Sequence, residues 1–273
     1  MSLFGKKKNK IENVSFILPP ERRMSFEYGN LQGIGSRSRQ EDSFAQVNAM
    51  DVTKIKDEGL FFTVCDGMGG MRDGKLASET AIDVLKKGFM SLNKNSDISC
   101  QLESFIVSAS EKVEGLLEGE GGSTVIVAVI YDEKLYFASV GDSYFYLKRG
   151  NEMYLLNWRH NLENDIYLEK IRNGDTNPFP ARENREAEAL TSFLGMSGLE
   201  RIDRSKMPIP LKNGDVLLSC SDGIGGVLDE NELNEILEKG SAAECCMKIE
   251  QRILEKAKPH QDNFTGILVK CIY

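Results

Sequence analysis

The hydrophobic positions of the chain form two kinds of run: short apolar stretches bounded by turn residues, and longer stretches with helical spacing. The short stretches are typical of β-strands, and the longer ones are typical of amphipathic helices. Because strands and helices do not alternate strictly, the order predicts an α+β fold rather than a parallel sheet. The predicted strands are 25–34, 43–47, 60–65, 123–130, 135–140, 144–148, 153–156, 215–221 and 264–272, and the predicted helices are 74–89, 98–117, 230–238 and 242–256.

Two further regions have a distinct pattern. The four short strands between residues 123 and 156 are separated by turn residues and predict an antiparallel meander. The stretch from about 157 to 204 is polar, contains Pro178 and Pro180, and is interpreted as an insertion or flap.

We expect one catalytic domain over residues 25–273, preceded by a lead-in at 1–24. The lead-in carries Lys6, Lys7, Lys8 and Lys10, and this basic run is interpreted as a solvated, partly disordered tail. No compositional shift marks a linker between two domains.

Composition narrows the classes of function. The formal net charge of −8 argues against nucleic-acid or membrane partners, while an acidic protein suits a bound cation. The six cysteines lack zinc-like C-x-x-C spacing and are expected to be reduced and mostly buried. No apolar run approaches the roughly 20 residues of a membrane-spanning helix. We therefore expect a cytoplasmic protein, and a monomer.

Four aspartates stand at or next to predicted strand ends: Asp66, Asp142, Asp222 and Asp262. Each is followed by a small or polar residue, so each taken alone is better explained as a turn residue than as a metal ligand. Together, carboxylates at rigid strand ends would repel one another unless a divalent cation joined them. Oxygen-only ligation favours magnesium or manganese, and the lack of clustered His or Cys disfavours zinc.

Six short motifs resemble, in the same order, the signatures of the type 2C (PPM) family of metal-dependent protein phosphatases, in its bacterial branch. The resemblance spans residues 25–273. Each motif is weak alone, but the ordered set is specific. The motifs are RSRQEDS (37–43), VCDGMGG (64–70), GST (122–124), VGDS (140–143), SDG (221–223) and QDNFT (261–265).

The resemblance implies an αββα sandwich, in which two antiparallel sheets pack face to face between outer helices. It also implies two divalent ions, Mn²⁺ or Mg²⁺, at one edge of the sandwich. Asp66 would bridge both ions, the Gly67 carbonyl would bind one, and Asp222 and Asp262 would bind the other. Asp142 would help Asp222 to hold a third ion.

The same resemblance assigns catalytic roles. Glu41 and Asp42 would hold metal-bound waters, and Arg37 would grip the phosphoryl group with its planar guanidinium. Arg39 lies on the same segment but outside the motif position. A water bridging the two metals would then attack phosphorus directly, without a phosphoenzyme.

Three positions depart from the family pattern. Met68 stands where some members have a histidine that acts as a candidate general acid. Tyr144 replaces the usual arginine after Gly-Asp-Ser, and Arg159 replaces the aspartate that often precedes His160. The replacement of arginine by Tyr144 puts a local salt bridge in doubt.

The expected function is hydrolysis of phosphoserine and phosphothreonine esters on phosphoproteins made by a serine/threonine kinase, as part of signalling. Two alternatives remain open at this point. The chain could be a catalytically silent phosphatase fold that binds or senses phosphoproteins, or a phosphoesterase acting on small molecules.

Overall fold

The computed structural model describes residues 23–68 and 73–273, so the prediction for the basic run lies outside the described residues. Two large antiparallel sheets account for most strands. That residues 25–273 form one domain stays a prediction. The strands are β1 (Ser25–Gly33), β2 (Ser43–Val47), β3 (Leu60–Cys65), β4 (Gly67–Met68), β5 (Gly122–Ser123), β6 (Val125–Tyr131), β7 (Lys134–Val140), β8 (Tyr144–Arg149), β9 (Glu152–Leu155), β10 (Asp203–Arg204), β11 (Ile209–Pro210), β12 (Val216–Cys220) and β13 (Phe264–Ile272).

The first sheet has the strand order β1-β13-β12-β8-β9, and the second has the order β10-β7-β6-β3-β2 with β11 also paired to β7. Helices cover the outer face of each sheet. This arrangement confirms the predicted α+β sandwich. The helices are α1 (Val52–Glu58), α2 (Gly74–Met90), α3 (Ile98–Leu117), α4 (Leu162–Arg172), α5 (Phe179–Arg182), α6 (Asp222–Gly225), α7 (Glu230–Glu238) and α8 (Ala242–Lys256).

Side-chain alternation along the strands builds three apolar layers. In β3, Phe61 and Cys65 face α2 and α3, while Phe62 and Val64 face the space between the sheets. In β12, Leu217 points into that same inter-sheet layer. Residues 216, 218 and 220 of β12 face the layer under α7 and α8. Strands buried on both faces read as continuous apolar runs, which explains their clear signal in the sequence.

The predicted meander over residues 123–156 is wrong. Strands β6 and β7 form a hairpin in the second sheet, whereas β8 and β9 form a hairpin in the first. The chain changes sheets at residues 141–143. Gly141 makes this possible with a φ of 98°, and a Cβ there would lie 2.6 Å from the Cβ of Thr124. Asp142 therefore lies at a crossover between sheets rather than in a hairpin turn.

Four helices were not predicted from the sequence: α1, α4 and the two four-residue helices α5 and α6. Neither α1 nor α4 contains a buried residue, so neither has the apolar stripe that reveals a helix in a sequence. The flap at 157–204 contains α4 and α5, and α4 begins where the Asn161 side chain accepts a hydrogen bond from the Asn164 backbone N–H.

Five of the six cysteines are buried, as expected, and all six are free thiols; Cys100 is exposed. Within residues 23–68 and 73–273, no helix combines the length and apolar character that crossing a bilayer requires.

We expect Phe62→Ala to lower the free energy of unfolding by about 3–5 kcal/mol, because it empties a fully buried volume in the inter-sheet layer. The Phe62 ring meets Phe145 of the opposite sheet edge-on at a centroid distance of 6.0 Å. Chemical denaturation of this variant measures the loss. Met207→Ala, at a side chain that is 75% exposed, is the control and should change stability by less than about 0.5 kcal/mol. Equal losses in both variants would contradict the assigned core.

Candidate active site

The antiparallel pairing brings several strand ends to one edge of the sandwich. Cys65, the last residue of β3, is paired with Ser43, the first residue of β2. In the other sheet Cys220, the last residue of β12, is paired with Tyr144 at the start of β8 and with Gly266 near the start of β13. The loops carrying residues 41–42, 66, 142, 222 and 262 therefore meet at this edge.

These loops enclose a cleft of about 370 Å³. Of the eight residues predicted for the site, seven line this cleft, and Asp42 lies beneath it at 1% exposure. The seven are Arg37, Glu41, Asp66, Gly67, Asp142, Asp222 and Asp262.

The backbone of Asp66 is fixed by the neighbouring Ser-Thr pair. Its N–H donates to the Thr124 hydroxyl at 3.1 Å, and its carbonyl accepts from the Thr124 N–H at 2.8 Å and from the Ser123 hydroxyl at 3.0 Å. The Thr124 hydroxyl also bonds to that of Ser143 at 2.7 Å, next to Asp142. The GST and VGDS motifs thus hold two of the aspartates in place.

Asp222 is the first residue of α6, directly after Ser221, the N-cap of that short helix. The helix lies very close to the loop before β13, because a Cβ on Gly223 would lie 1.9 Å from the Asn263 carbonyl oxygen. The Gln261 side chain donates to the Gly223 carbonyl at 3.0 Å. Glycine at 223 is therefore required for the two loops to approach.

Asn263 connects the segment at 34–41 to Asp262. Its side-chain oxygen accepts from the Glu41 N–H at 2.8 Å, and its amide donates to the carbonyls of Ile34 and Arg39. Its own N–H donates to the carboxylate of Asp262 at 2.7 Å. The arginine and the acidic pair of the RSRQEDS segment are thereby placed over the strand ends.

Arg37 donates to the Asp262 carboxylate at 2.5 Å. Both side chains are partly exposed, at 57% and 38%, so this ion pair is worth at most about 1 kcal/mol. A pair this weak leaves the guanidinium available to an anion entering the cleft. Arg39, outside the motif position, lies 3.6 Å from the Glu41 carboxylate and so is not independent of the site.

The cleft is strongly acidic and partly shielded from water. Burial raises the pKa of Asp66 well above its usual range, with the charges of Asp42 and Asp222 as further causes. Burial, followed by the charge of Asp262, also raises the pKa of Asp222. The pKa of Asp142 is raised to about 7 and that of Asp42 to about 6, in both cases mainly by burial. The ionised form of each carboxylate is therefore disfavoured by the negative charges of its neighbours.

Several of these carboxylate oxygens are buried and have no hydrogen-bond partner, namely one oxygen each of Glu41, Asp42 and Asp222. Over the described part of the chain, no three His, Cys, Asp or Glu side chains form a ready-made ligand set for one ion. Magnesium and manganese sites need fewer side chains, because water completes the coordination. The oxygen-only donors and their unpaired buried oxygens fit divalent cations of this kind.

Some residues of the cleft were not given a role from the sequence. Glu188 and Leu190 reach the cleft from the flap, and the charge of Glu188 raises the pKa of both Asp142 and Asp222. Nothing in the sequence around Glu188 distinguishes it from other flap acids. Met68 also lines the cleft, in line with its place in the motif.

His160 does not line the cleft. It is buried, its Nδ1 accepts from the Gly141 N–H at 3.2 Å, and burial lowers its pKa to about 4. It is a neutral residue that attaches the flap beside Asp142. Two of the three departures from the family pattern, Tyr144 and Arg159, are in contact here. Arg159 lies over the ring of Tyr144 with 4.5 Å between the guanidinium carbon and the ring centroid. A cation–π contact therefore stands where a salt bridge was in doubt.

The family model described as protein phosphatase 2C matches residues 26–175. The serine/threonine phosphatase stp of Listeria innocua is 28% identical over 229 residues, which cover 80% of this chain and 87% of that protein. The solved Streptococcus agalactiae serine/threonine phosphatase superposes with a TM-score of 0.78 at 23% identity, over 91% of this chain and 100% of that one. The PstP catalytic domain, solved in complex with 2 manganese ions, gives 0.72 at 20% identity, over 92% and 100%.

An acidic cleft at one edge of an αββα sandwich is the architecture of a metal-dependent phosphatase. The match over residues 26–175 covers more than half of the chain, and the chain belongs to the protein phosphatase 2C family. The resemblance drawn from the six motifs is thereby confirmed.

The raised carboxyl pKa values predict how the stability of the metal-free protein depends on pH. The pKa of Asp142 is about 7, against roughly 4 in an unfolded chain, so the folded state binds more protons between these values. Its contribution to stability therefore falls as pH rises from about 4 to about 7. His160 acts in the opposite direction, because its folded pKa is lowered to about 4.

Comparison with Asp142→Asn isolates the aspartate, since the contribution of His160 is the same in both proteins. In chelator, the wild-type melting temperature should decline relative to that of Asp142→Asn between pH 5 and pH 8. Saturating manganese should remove this relative decline. If the melting temperatures of the two proteins in chelator changed equally with pH, the placement of Asp142 would be contradicted.

Proposed function

We propose that this chain is a serine/threonine protein phosphatase that hydrolyses phosphoserine and phosphothreonine esters with the help of divalent cations. The observation that carries the proposal is the cleft in which an exposed arginine faces four aspartates at rigid strand ends. The names of the bacterial relatives support the same reaction.

The proposed cation ligands are oxygen atoms at one edge of the sandwich. Asp66 would serve two ions, the Gly67 carbonyl would serve one of them, and Asp222 and Asp262 would serve the other. Asp142 would take part in holding a third ion. When bound, divalent cations neutralise phosphoryl oxygens and lower the pKa of a coordinated water. Manganese and magnesium both suit this donor set.

The remaining residues position the reactants. Arg37 binds two phosphoryl oxygens through its planar guanidinium, and it exchanges its weak contact with Asp262 for the phosphate. Glu41 and Asp42 accept hydrogen bonds from water in the floor of the cleft, because each has a buried oxygen that receives no hydrogen bond from the protein. The described residues that line the cleft include no histidine, so solvent supplies the proton to the leaving oxygen.

The substrates in this proposal are phosphoproteins made by a serine/threonine kinase, and the protein acts as a cytoplasmic monomer. The net charge of −8 supports protein rather than nucleic-acid substrates. Roles for the individual site residues are part of the same proposal.

We expect turnover of a phosphothreonine peptide to require added manganese or magnesium and to stop in excess chelator. Asp66→Asn and Asp222→Asn should each remove nearly all turnover, because each takes one charged ligand from the ions. Phosphate release and thermal melting of the same samples measure both effects. Asp73→Asn, at the N-cap of α2, is the matched control and should keep near-native turnover.

Three results would overturn this proposal. Undiminished turnover in chelator would exclude the role of cations. Tight phosphopeptide binding without any phosphate release, with all metals tested, would favour the silent binding module instead. Faster hydrolysis of nucleotides than of phosphopeptides would favour the small-molecule phosphoesterase.

We expect Arg37→Ala to weaken phosphate and substrate binding by roughly ten- to hundredfold, because a charge-assisted bidentate contact is worth about 1.5–3 kcal/mol. Lysine at this position should restore only part of the loss. Metal affinity should not fall, since the variant removes a partner that competes for Asp262. Steady-state kinetics and calorimetric metal titrations give the two quantities.

Arg172→Ala is the control for a general loss of positive charge, because Arg172 is exposed at the end of α4. Arg39→Ala is unsuitable, given the proximity of Arg39 to Glu41. A loss of metal binding in Arg37→Ala, or equal losses in Arg37→Ala and Arg172→Ala, would remove Arg37 from the phosphate site.

A further inference from the structure

Arg159 holds an unusual position in the flap. Its guanidinium carbon lies 4.5 Å from the ring centroid of Tyr144, and its Nη1 donates to the Tyr144 hydroxyl at 2.9 Å. Its Nε–H is buried and has no hydrogen-bond partner. An aromatic ring and its hydroxyl, rather than a carboxylate, therefore hold this charge in place.

The backbone around Arg159 is fastened to the crossover between the two sheets. The His160 N–H donates to the Gly141 carbonyl at 2.8 Å, and the Gly141 N–H donates back to the His160 ring. The carbonyl of Arg159 accepts from the Asn164 side chain at 2.9 Å. The guanidinium is thus kept beside the loop that carries Asp142.

Tyr144 extends the connection to the helix that carries Asp222. It is paired with Cys220 in the sheet, and a Cβ on Gly225 would lie 2.2 Å from its ring. The ring therefore packs directly against α6, of which Asp222 is the first residue. Arg159, Tyr144 and the two aspartates form one corner of the cleft.

The charges at this corner are unbalanced without Arg159. Asp142 and Asp222 repel each other, and Glu188 from the flap adds a third negative charge. Arg159 acts in the opposite direction and lowers the pKa of Asp142 against the effect of burial. The guanidinium is a permanent charge, because arginine does not lose its proton in proteins.

We propose that Arg159, clamped on Tyr144, is a positioning residue that supplies a fixed positive charge at the Asp142 and Asp222 corner and so disfavours binding of a third divalent cation there. This inference rests on the proposed function in one respect, the role of Asp142 and Asp222 as cation ligands. Arg159 itself touches neither substrate nor cation.

Calorimetric titration with manganese alone tests the inference without any measurement of turnover. At a manganese concentration that saturates two sites in the wild type, Arg159→Gln should bind a third ion at least about tenfold more tightly than the wild type does. Arg159→Lys keeps the charge and should stay closer to the wild type. Tyr144→Phe keeps the ring and loses the hydroxyl contact, so it should show a smaller gain than Arg159→Gln.

Two further variants fix the location and the cause of the gain. Adding Asp142→Asn to Arg159→Gln should abolish the gain, because it removes a ligand of the third ion. Arg172→Gln changes the net charge of the flap equally and should leave manganese binding unchanged. Melting temperatures in chelator establish that each variant is folded.

The outcomes separate this inference from the proposed function. Equal manganese binding by folded Arg159→Gln, Arg172→Gln and wild type would overturn the inference while leaving the phosphatase proposal intact. A third-ion gain in Arg159→Gln that persists after Asp142→Asn would also overturn it. No manganese binding by the wild type would overturn both. If Arg159→Gln does not fold, the other variants decide. The inference would be overturned if Tyr144→Phe and Arg159→Lys bound manganese as the wild type does and the wild type itself bound three ions tightly.

Discussion

The constraint on which the site depends is the mutual repulsion of buried carboxylates at one edge of the sandwich. Burial and the surrounding charges raise the pKa of Asp66, and they also raise the pKa values of Asp142 and Asp222. A flexible chain would relieve this repulsion by moving the groups apart. Here the sheet register and the hydrogen bonds of Thr124 and Asn263 prevent that movement. Protons or divalent cations can relieve the repulsion instead, so this edge is suited to hold cations.

Stability and function are physically separate in this fold. The inter-sheet layer around Phe62 and Leu217 is built from apolar side chains, whereas Asp66 and Asp222 of the cleft follow the ends of β3 and β12 by one and two residues. Two glycines allow the chain to pass from the apolar layer to the cleft. At Gly223 the loops approach to a distance that excludes a Cβ, and at Gly141 the chain turns from one sheet to the other with a positive φ. The core can therefore be rigid without opposing the charges at its rim.

The sequence predicts the place of a residue well where the local pattern of apolar residues already determines it. Asp66 and Asp222 follow continuous apolar runs, so their place at strand ends could be predicted, and the ordered motifs supplied Arg37 and Asp262. Prediction failed where placement depends on contacts distant in sequence. The crossover at 141–143 looks like an ordinary hairpin turn until the pairing partners of β7 and β8 are known. Glu188 reaches the cleft only because the flap folds back on the sheets, and α4 has no buried face to mark it.

Arg159 and Tyr144 illustrate how two separate departures from a family pattern become intelligible as one interaction. Tyr144 puts a local salt bridge in doubt and Arg159 replaces an aspartate, but together they form a cation–π contact, so the flap remains fastened and the arginine charge stays beside the aspartates. The difference lies in where the charge goes. In a salt bridge the guanidinium charge is neutralised by its partner, whereas a neutral ring leaves it free to act on Asp142. A charge attached to the chain does not leave when the metal concentration falls. The corner next to the flap therefore keeps part of its neutralisation from Arg159 when no cation is bound, as Asp262 does from its ion pair with Arg37.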